Sequence, residues 1–113
     1  MKAATKITFF DENDQKFFGE GPCRLLHEVE KQGSLRGAAI SMGMAYTKAL
    51  RIIHNAETAL GFSLTTRSIG GKTGGGSFLT PEGKEWLKKY ESYRDACIQA
   101  NRKLYLEFFL EQQ

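Results

Sequence analysis

Gly33-Ser34-Leu35-Arg36-Gly37-Ala38-Ala39-Ile40-Ser41-Met42-Gly43-Met44-Ala45-Tyr46-Thr47-Lys48-Ala49-Leu50-Arg51 is the stretch on which the fold turns. Ser34 is a ready N-cap, and Leu35, Ala38, Ala39 and Met42 recur at the spacing of one helix face. Gly43 stops that short helix. A longer one is predicted over about residues 45–60, with Tyr46, Ala49, Leu50, Ile53 and Leu60 in one apolar sector. Thr47, Lys48, Arg51, Asn55 and Thr58 fall on its opposite side. Two helices joined by a tight glycine turn, the second basic and polar outside, form a helix-turn-helix pattern over residues 34–60.

Downstream, Phe62–Ser68 reads as a strand and Ser77–Leu79 as its antiparallel partner, a hairpin spanning 62–79. Between them lie Gly70-Gly71-Lys72-Thr73-Gly74-Gly75-Gly76, with five of the chain's 12 glycines. A hairpin directly after the second helix has the place of a wing. Thr80-Pro81-Glu82 then supplies an N-cap, a first-turn proline and an early acid for a helix over residues 81–113. Trp86, Tyr90, Tyr93, Cys97, Ala100 and Leu104 follow alternating spacings of four and three, the period of a coiled-coil seam. Fully helical, that stretch would extend ~50 Å, whereas a domain of this size has a radius of gyration of only ~13 Å. The seam therefore predicts a homodimer. The alternative is a break near Asn101-Arg102-Lys103 with the first half packed on its own domain.

Upstream, residues 4–18 read as a hairpin turning at Asp11-Glu12-Asn13-Asp14. Pro22 marks the start of a helix carrying Leu25, Leu26 and Val29 inward, and Gly33 ends it. The fold class expected is mainly α with small β hairpins: a single winged helix-turn-helix domain over residues 1–113 with a long C-terminal dimerisation helix.

Charge sharpens the picture. The 113 residues carry a net charge of +3, too mild to name a partner. Residues 34–77, however, hold Arg36, Lys48, Arg51, Arg67 and Lys72 against one acid, Glu57, for a local +4, and the remainder sums to −1. The excess lies on the helix-turn-helix and wing, which points to an anionic partner there. No apolar run approaches the ~18 residues of a membrane span. The N-terminus has no apolar signal region, so a cytoplasmic location without membrane contact is expected. Cys23 and Cys97 are too few for a disulfide framework.

Gly33-Ser34-Leu35, Ala38-Ala39, Gly43-Met44-Ala45-Tyr46, Lys48-Ala49, Arg67, the two glycine runs and Leu79-Thr80-Pro81-Glu82-Gly83 come in an ordered series. Over about residues 19–93 the series resembles the N-terminal winged helix-turn-helix domain of ModE-type molybdate-responsive transcription regulators, and its Leu-Thr-Pro-x-Gly element is similar to LysR-type regulators. Ala45 stands where that family usually has serine, which removes a cap hydroxyl. Leu50 stands where it usually has tryptophan, which is expected to change the core. The family's regulators also carry C-terminal oxyanion-binding domains. The length therefore leads us to expect the DNA-binding half without the molybdate-binding domain, with room for a separate effector subunit.

The resemblance and the charge together imply a sequence-specific regulator of double-stranded DNA. Ser34, Arg36, Tyr46, Thr47, Lys48, Arg51 and Asn55 are its candidate contacts from the helices, Arg67 and Lys72 those from the wing. The competing reading is a protein-interaction or dimerisation module that kept the fold and lost DNA affinity. Catalysis is not expected. Gly71-Lys72-Thr73 lacks the upstream glycine of a phosphate-binding loop, and His54 has no nucleophile or acid at useful spacing. Cys23 and His27, four apart, lack a second ligand pair, so no metal or cofactor is expected.

Overall fold

The computed structural model describes residues 1–68 and 76–110. In chain order the elements are β1 (Phe9–Phe10), β2 (Lys16–Phe18), α1 (Glu20–Gln32), α2 (Leu35–Ser41), α3 (Tyr46–Leu60), β3 (Thr65–Arg67), β4 (Ser77–Leu79) and α4 (Pro81–Tyr105). A π-helical turn, Leu106–Leu110, continues α4. The two hairpins are antiparallel, β1 pairing Phe9 with Phe18 and β3 pairing Thr65 with Leu79. This is the winged helix-turn-helix arrangement. Among the described residues no helix is long and apolar enough to cross a membrane.

The core is built where α1, α2 and α3 converge. Leu25, Leu26, Val29, Ala38 and Ala49 are completely buried, and Leu64 joins them from the entry to the wing. The buried positions of α2 and α3 include the small residues Ala38, Ala39, Ala49 and Ala56. The two turns between these helices and the end of α3 each use a left-handed glycine: Gly33 (φ 74°), Gly43 (φ 67°) and Gly61 (φ 82°). Ser34 caps α2 by accepting from the Gly37 amide at 2.9 Å, whereas α3 starts at Ala45 with no side-chain cap.

Four expectations need correction. First, α1 begins at Glu20, before Pro22, with Gly19 at its N-cap. A proline anywhere in the first turn costs no hydrogen bond, because those amides have no partner inside the helix. Second, β1 is only two residues long, since its register shifts between Phe9 and Phe10. The residues before it run beside α4 instead: Tyr90 Oη donates to the Ile7 carbonyl at 3.0 Å and Tyr105 Oη to that of Met1 at 2.7 Å. Third, Leu50 is 44% exposed and lies outside the core, so the change from the family's tryptophan falls on the surface.

The fourth correction concerns α4. Trp86 and Tyr90 belong to the chain's own core, packed on the N-terminal hairpin. The Trp86 ring lies 5.4 Å from Phe9 and 5.3 Å from Phe18, and Tyr90, 1% exposed, lies 4.9 Å from Phe18. Tyr90 is therefore not free to meet a second chain, whereas Trp86 is only partly buried. The helix nonetheless does not break at Asn101–Lys103. It projects, which gives a longest dimension of 66 Å against 29 and 25 Å, and a radius of gyration of 17.2 Å.

The wing is tied to its surroundings by backbone contacts. Ser77 donates to the Gly33 carbonyl at 3.0 Å, and a Cβ on Gly76 would strike that carbonyl. A Cβ on Gly83 would strike the Leu64 carbonyl. Because neither obstacle is a flexible side chain, Gly83→Ala is expected to lower stability by about 1–3 kcal/mol. Gly21→Ala, where a Cβ meets nothing within 4 Å, should be neutral or better in the same urea titration. Ala45→Ser should supply the missing cap of α3 and raise stability by about 1 kcal/mol in that assay.

Candidate nucleic-acid interface

α3 buries Ala49, Ile53 and Ala56 and turns Thr47, Lys48, Leu50, Arg51, His54 and Asn55 outward, all exposed. Its uncapped N-terminus carries the positive end of the helix dipole to the surface, unopposed by a first-turn acid.

Tyr46, the first residue of α3, gathers two of the other candidates around its ring. The Arg36 guanidinium, from α2, lies 4.7 Å from the ring centroid in a cation–π contact. Arg67, from β3, donates from Nη2 to Tyr46 Oη at 3.2 Å. Three elements thus bring two guanidinium groups to one tyrosine, Arg36 over its ring and Arg67 at its hydroxyl, beside exposed Lys48 and Arg51. Planar, always-charged donors held in this way suit phosphate or base-edge acceptors. Ser34 spends its hydroxyl oxygen as an acceptor in the α2 cap, although its own O–H can still donate.

The single acid of this region is turned to another use. Glu57 Oε2 accepts from the amides of Leu64 at 2.7 Å and Thr65 at 3.3 Å, so its charge holds the entry to β3.

Asn55 lies two and a half turns beyond Tyr46, about 13 Å along the axis. It lines a groove between α3 and the β1–β2 turn, together with His54, Thr58, Asp11 and Glu12. The structure does not bring it to the Arg36–Tyr46–Arg67 cluster, and its groove mixes the acids Asp11 and Glu12 with Lys16. Lys72 and the glycines at 70, 71, 74 and 75 lie outside the described residues. The residue that sequence reasoning missed is Leu50. Its apolar character assigned it to the core, yet it sits among the exposed side chains next to Arg51. Its departure from the family pattern was the only hint.

Comparison with known proteins places this geometry. The profile described as "Bacterial regulatory helix-turn-helix protein, lysR family" matches residues 23–84, from α1 to the start of α4. The chain is 33% identical over 66 residues to the molybdenum-pterin-binding protein MopB of Rhodobacter capsulatus, covering 58% of this chain and 24% of that protein. It is 35% identical over 74 residues to the molybdenum transport protein ModE of Herbaspirillum seropedicae, covering 66% and 26%. The chain therefore spans about a quarter of the length of these curated relatives. Among solved structures it resembles the BenM DNA-binding domain in complex with benA site 1 DNA, with a TM-score of 0.50 and 24% identity over 74% of this chain and 92% of that one. That likeness is one of fold. The profile covers more than half of the sequence, and the chain belongs to the LysR family of bacterial regulatory helix-turn-helix proteins.

Proposed function

We propose that the chain is a sequence-specific, DNA-binding transcription regulator of the ModE type, with α3 in the major groove and the wing along the backbone or minor groove. The observation that carries this reading is the set of cations around the N-terminal end of α3: Arg36 and Arg67 on Tyr46, with exposed Lys48 and Arg51 beside them. In this arrangement Arg51 reads guanine through a bidentate pair, and Leu50 meets a thymine methyl group. Thr47 and Ser34 donate to phosphates. Arg36, Lys48, Arg67 and Lys72 supply the non-specific attraction. Asn55 reaches an adenine only where the duplex passes the β1–β2 turn.

We further propose a homodimer built on the distal half of α4. Cys97, Ala100 and Leu104 keep the coiled-coil spacing beyond the part of the helix that packs on its own domain, and Tyr93, whose ring lies 6.0 Å from that of Phe9, stands at its edge. Tyr93 and Leu104 are 54% and 51% exposed, and Phe108, four residues on from Leu104, extends the apolar end. The N-terminal segment covers a neighbouring face, alongside Ile98 and Tyr105, and leaves this one open. A period of 3.5 residues suits a second copy of the same helix, related by a twofold axis.

Selection from random duplexes at moderate salt should enrich one motif. Arg51→Ala should relax preference at one base pair, at a cost of about 1–3 kcal/mol. Lys48→Ala and Lys72→Ala should weaken all sequences alike and each lower the slope of log affinity against log salt by about 1. A double variant, Arg51→Ala with Lys72→Ala, that binds duplexes as well as the parent overturns the DNA reading.

Light scattering at micromolar concentration should give a dimeric mass for the parent chain. Ala100→Asp combined with Leu104→Asp should give a folded monomer, since both positions are exposed. A monomeric parent refutes the dimer.

A further inference from the structure

Cys23 and His27 stand one turn apart on the same face of α1, and the fold sets Glu91 of α4 opposite them. His27 Nε2 lies 2.8 Å from Glu91 Oε2, Cys23 Sγ lies 3.8 Å from the same oxygen, and the three ligand atoms fall within 4.8 Å of one another. A tetrahedral zinc centre, with bonds of about 2.0–2.3 Å, separates its ligand atoms by about 3.3–3.8 Å, so shifts on the order of 1 Å would complete the geometry. The sulfur is buried, while the side chains of His27 and Glu91 are 47% and 32% exposed. An ion can therefore enter from the solvent side, where water fills the fourth position.

We propose that Cys23, His27 and Glu91 form a binding site for a zinc-type divalent transition cation, bridging α1 and α4. One sulfur, one imidazole nitrogen and one carboxylate oxygen make a borderline-soft set that discriminates against magnesium and calcium. The surrounding charges favour a dication. Arg94 Nη1 comes within 4.0 Å of the sulfur, but that guanidinium is already paired with Glu20 at 2.8 Å and Asp95 at 3.0 Å. Burial, with Glu91 and Glu20 adding to it, pushes the Cys23 thiol up to about 11. The carboxylates of Glu91, 3.8 Å from the sulfur, and of Glu20, paired with Arg94, attract a cation. On binding, the thiol proton leaves to solvent as the metal–sulfur bond forms, and the His27–Glu91 contact is exchanged for two ligand bonds. Occupancy would fasten α1, which leads into the helix-turn-helix, to the root of the projecting helix. The site is independent of the DNA reading.

The test uses the whole chain, kept reduced by a phosphine and titrated with zinc or cobalt(II) chloride. One equivalent of cobalt should produce a thiolate-to-cobalt charge-transfer band and tetrahedral visible bands, and zinc should displace it. Cys23→Ser should abolish the charge-transfer band. His27→Gln and Glu91→Gln should each weaken zinc binding at least about tenfold. His54→Gln, on α3, should change nothing. Absence of the thiolate band, or parental affinity in both His27→Gln and Glu91→Gln, overturns the site. Should Cys23→Ser fail to fold, those two variants, at solvent-accessible positions, decide the matter alone.

Discussion

The link from α3 to the wing and to α4 passes through the backbone of Leu64. Its side chain is completely buried, its amide donates to Glu57 at the end of α3, and its carbonyl accepts from Thr80 at 2.9 Å. Thr80 Oγ1 donates to the Ser63 carbonyl at 2.6 Å and accepts from the Gly83 amide at 2.8 Å, which starts α4. Gly83 lies against the Leu64 carbonyl with no space for a side chain. The last turn of α3, the first strand of the wing and the first turn of α4 thus meet at one residue. Because each of these links has a backbone group at one end or both, the joint has few rotamers through which to relax. The orientation of α3 relative to both wing and projecting helix is set there.

The same joint disposes of the one unfavourable charge. Glu57 would reduce the attraction of residues 34–77 for an anion if it faced outward. Bound to two amides, it closes the base of the wing. The guanidinium groups of Arg36 and Arg67 are partly ordered by Tyr46 before any partner arrives. Arginine carries about 2 kcal/mol of rotamer entropy, so a side chain already held on a ring loses less on binding. Lys48 and Arg51 have no such support among the described residues, which suits them to adapt to a groove.

How much of this was legible follows from sequence distance. The helix-turn-helix was readable because its signals are local: a serine cap, alanine pairs and left-handed glycines within a dozen residues. Thr80-Pro81-Glu82 was readable for the same reason. The short β1, the early start of α1 and the exposure of Leu50 depend on packing between distant segments, on which a periodicity is silent. Tyr90 makes the point most clearly. Its place in the seam spacing is identical whether it faces a second chain or its own hairpin, and only the position of Phe18, seventy-two residues upstream, decides between them. Cys23 and His27 showed half of a ligand set; Glu91 is invisible as their neighbour until α4 is laid across α1. At the interface, the charges of Arg36 and Arg67 were legible, but their meeting on Tyr46 was not.

The two halves of α4 therefore have different physical roles. The proximal half is rooted by the Phe9, Phe18, Trp86 and Tyr90 rings. Arg94 marks its boundary, stacked 5.8 Å from the Tyr90 ring centroid and tied to Glu20 at the head of α1. Beyond it the helix is braced by the extended N-terminal segment, through Tyr105 and the Met1 carbonyl. An unbroken helix with a fixed root transmits orientation as well as distance. A contact made at its far end is thus referred to the Leu64 joint, and through that joint to the face of α3. The apolar end and the basic face are separate surfaces, but they share one frame of backbone contacts, and the spacing between two copies of α3 would be set by where along the distal half their helices cross.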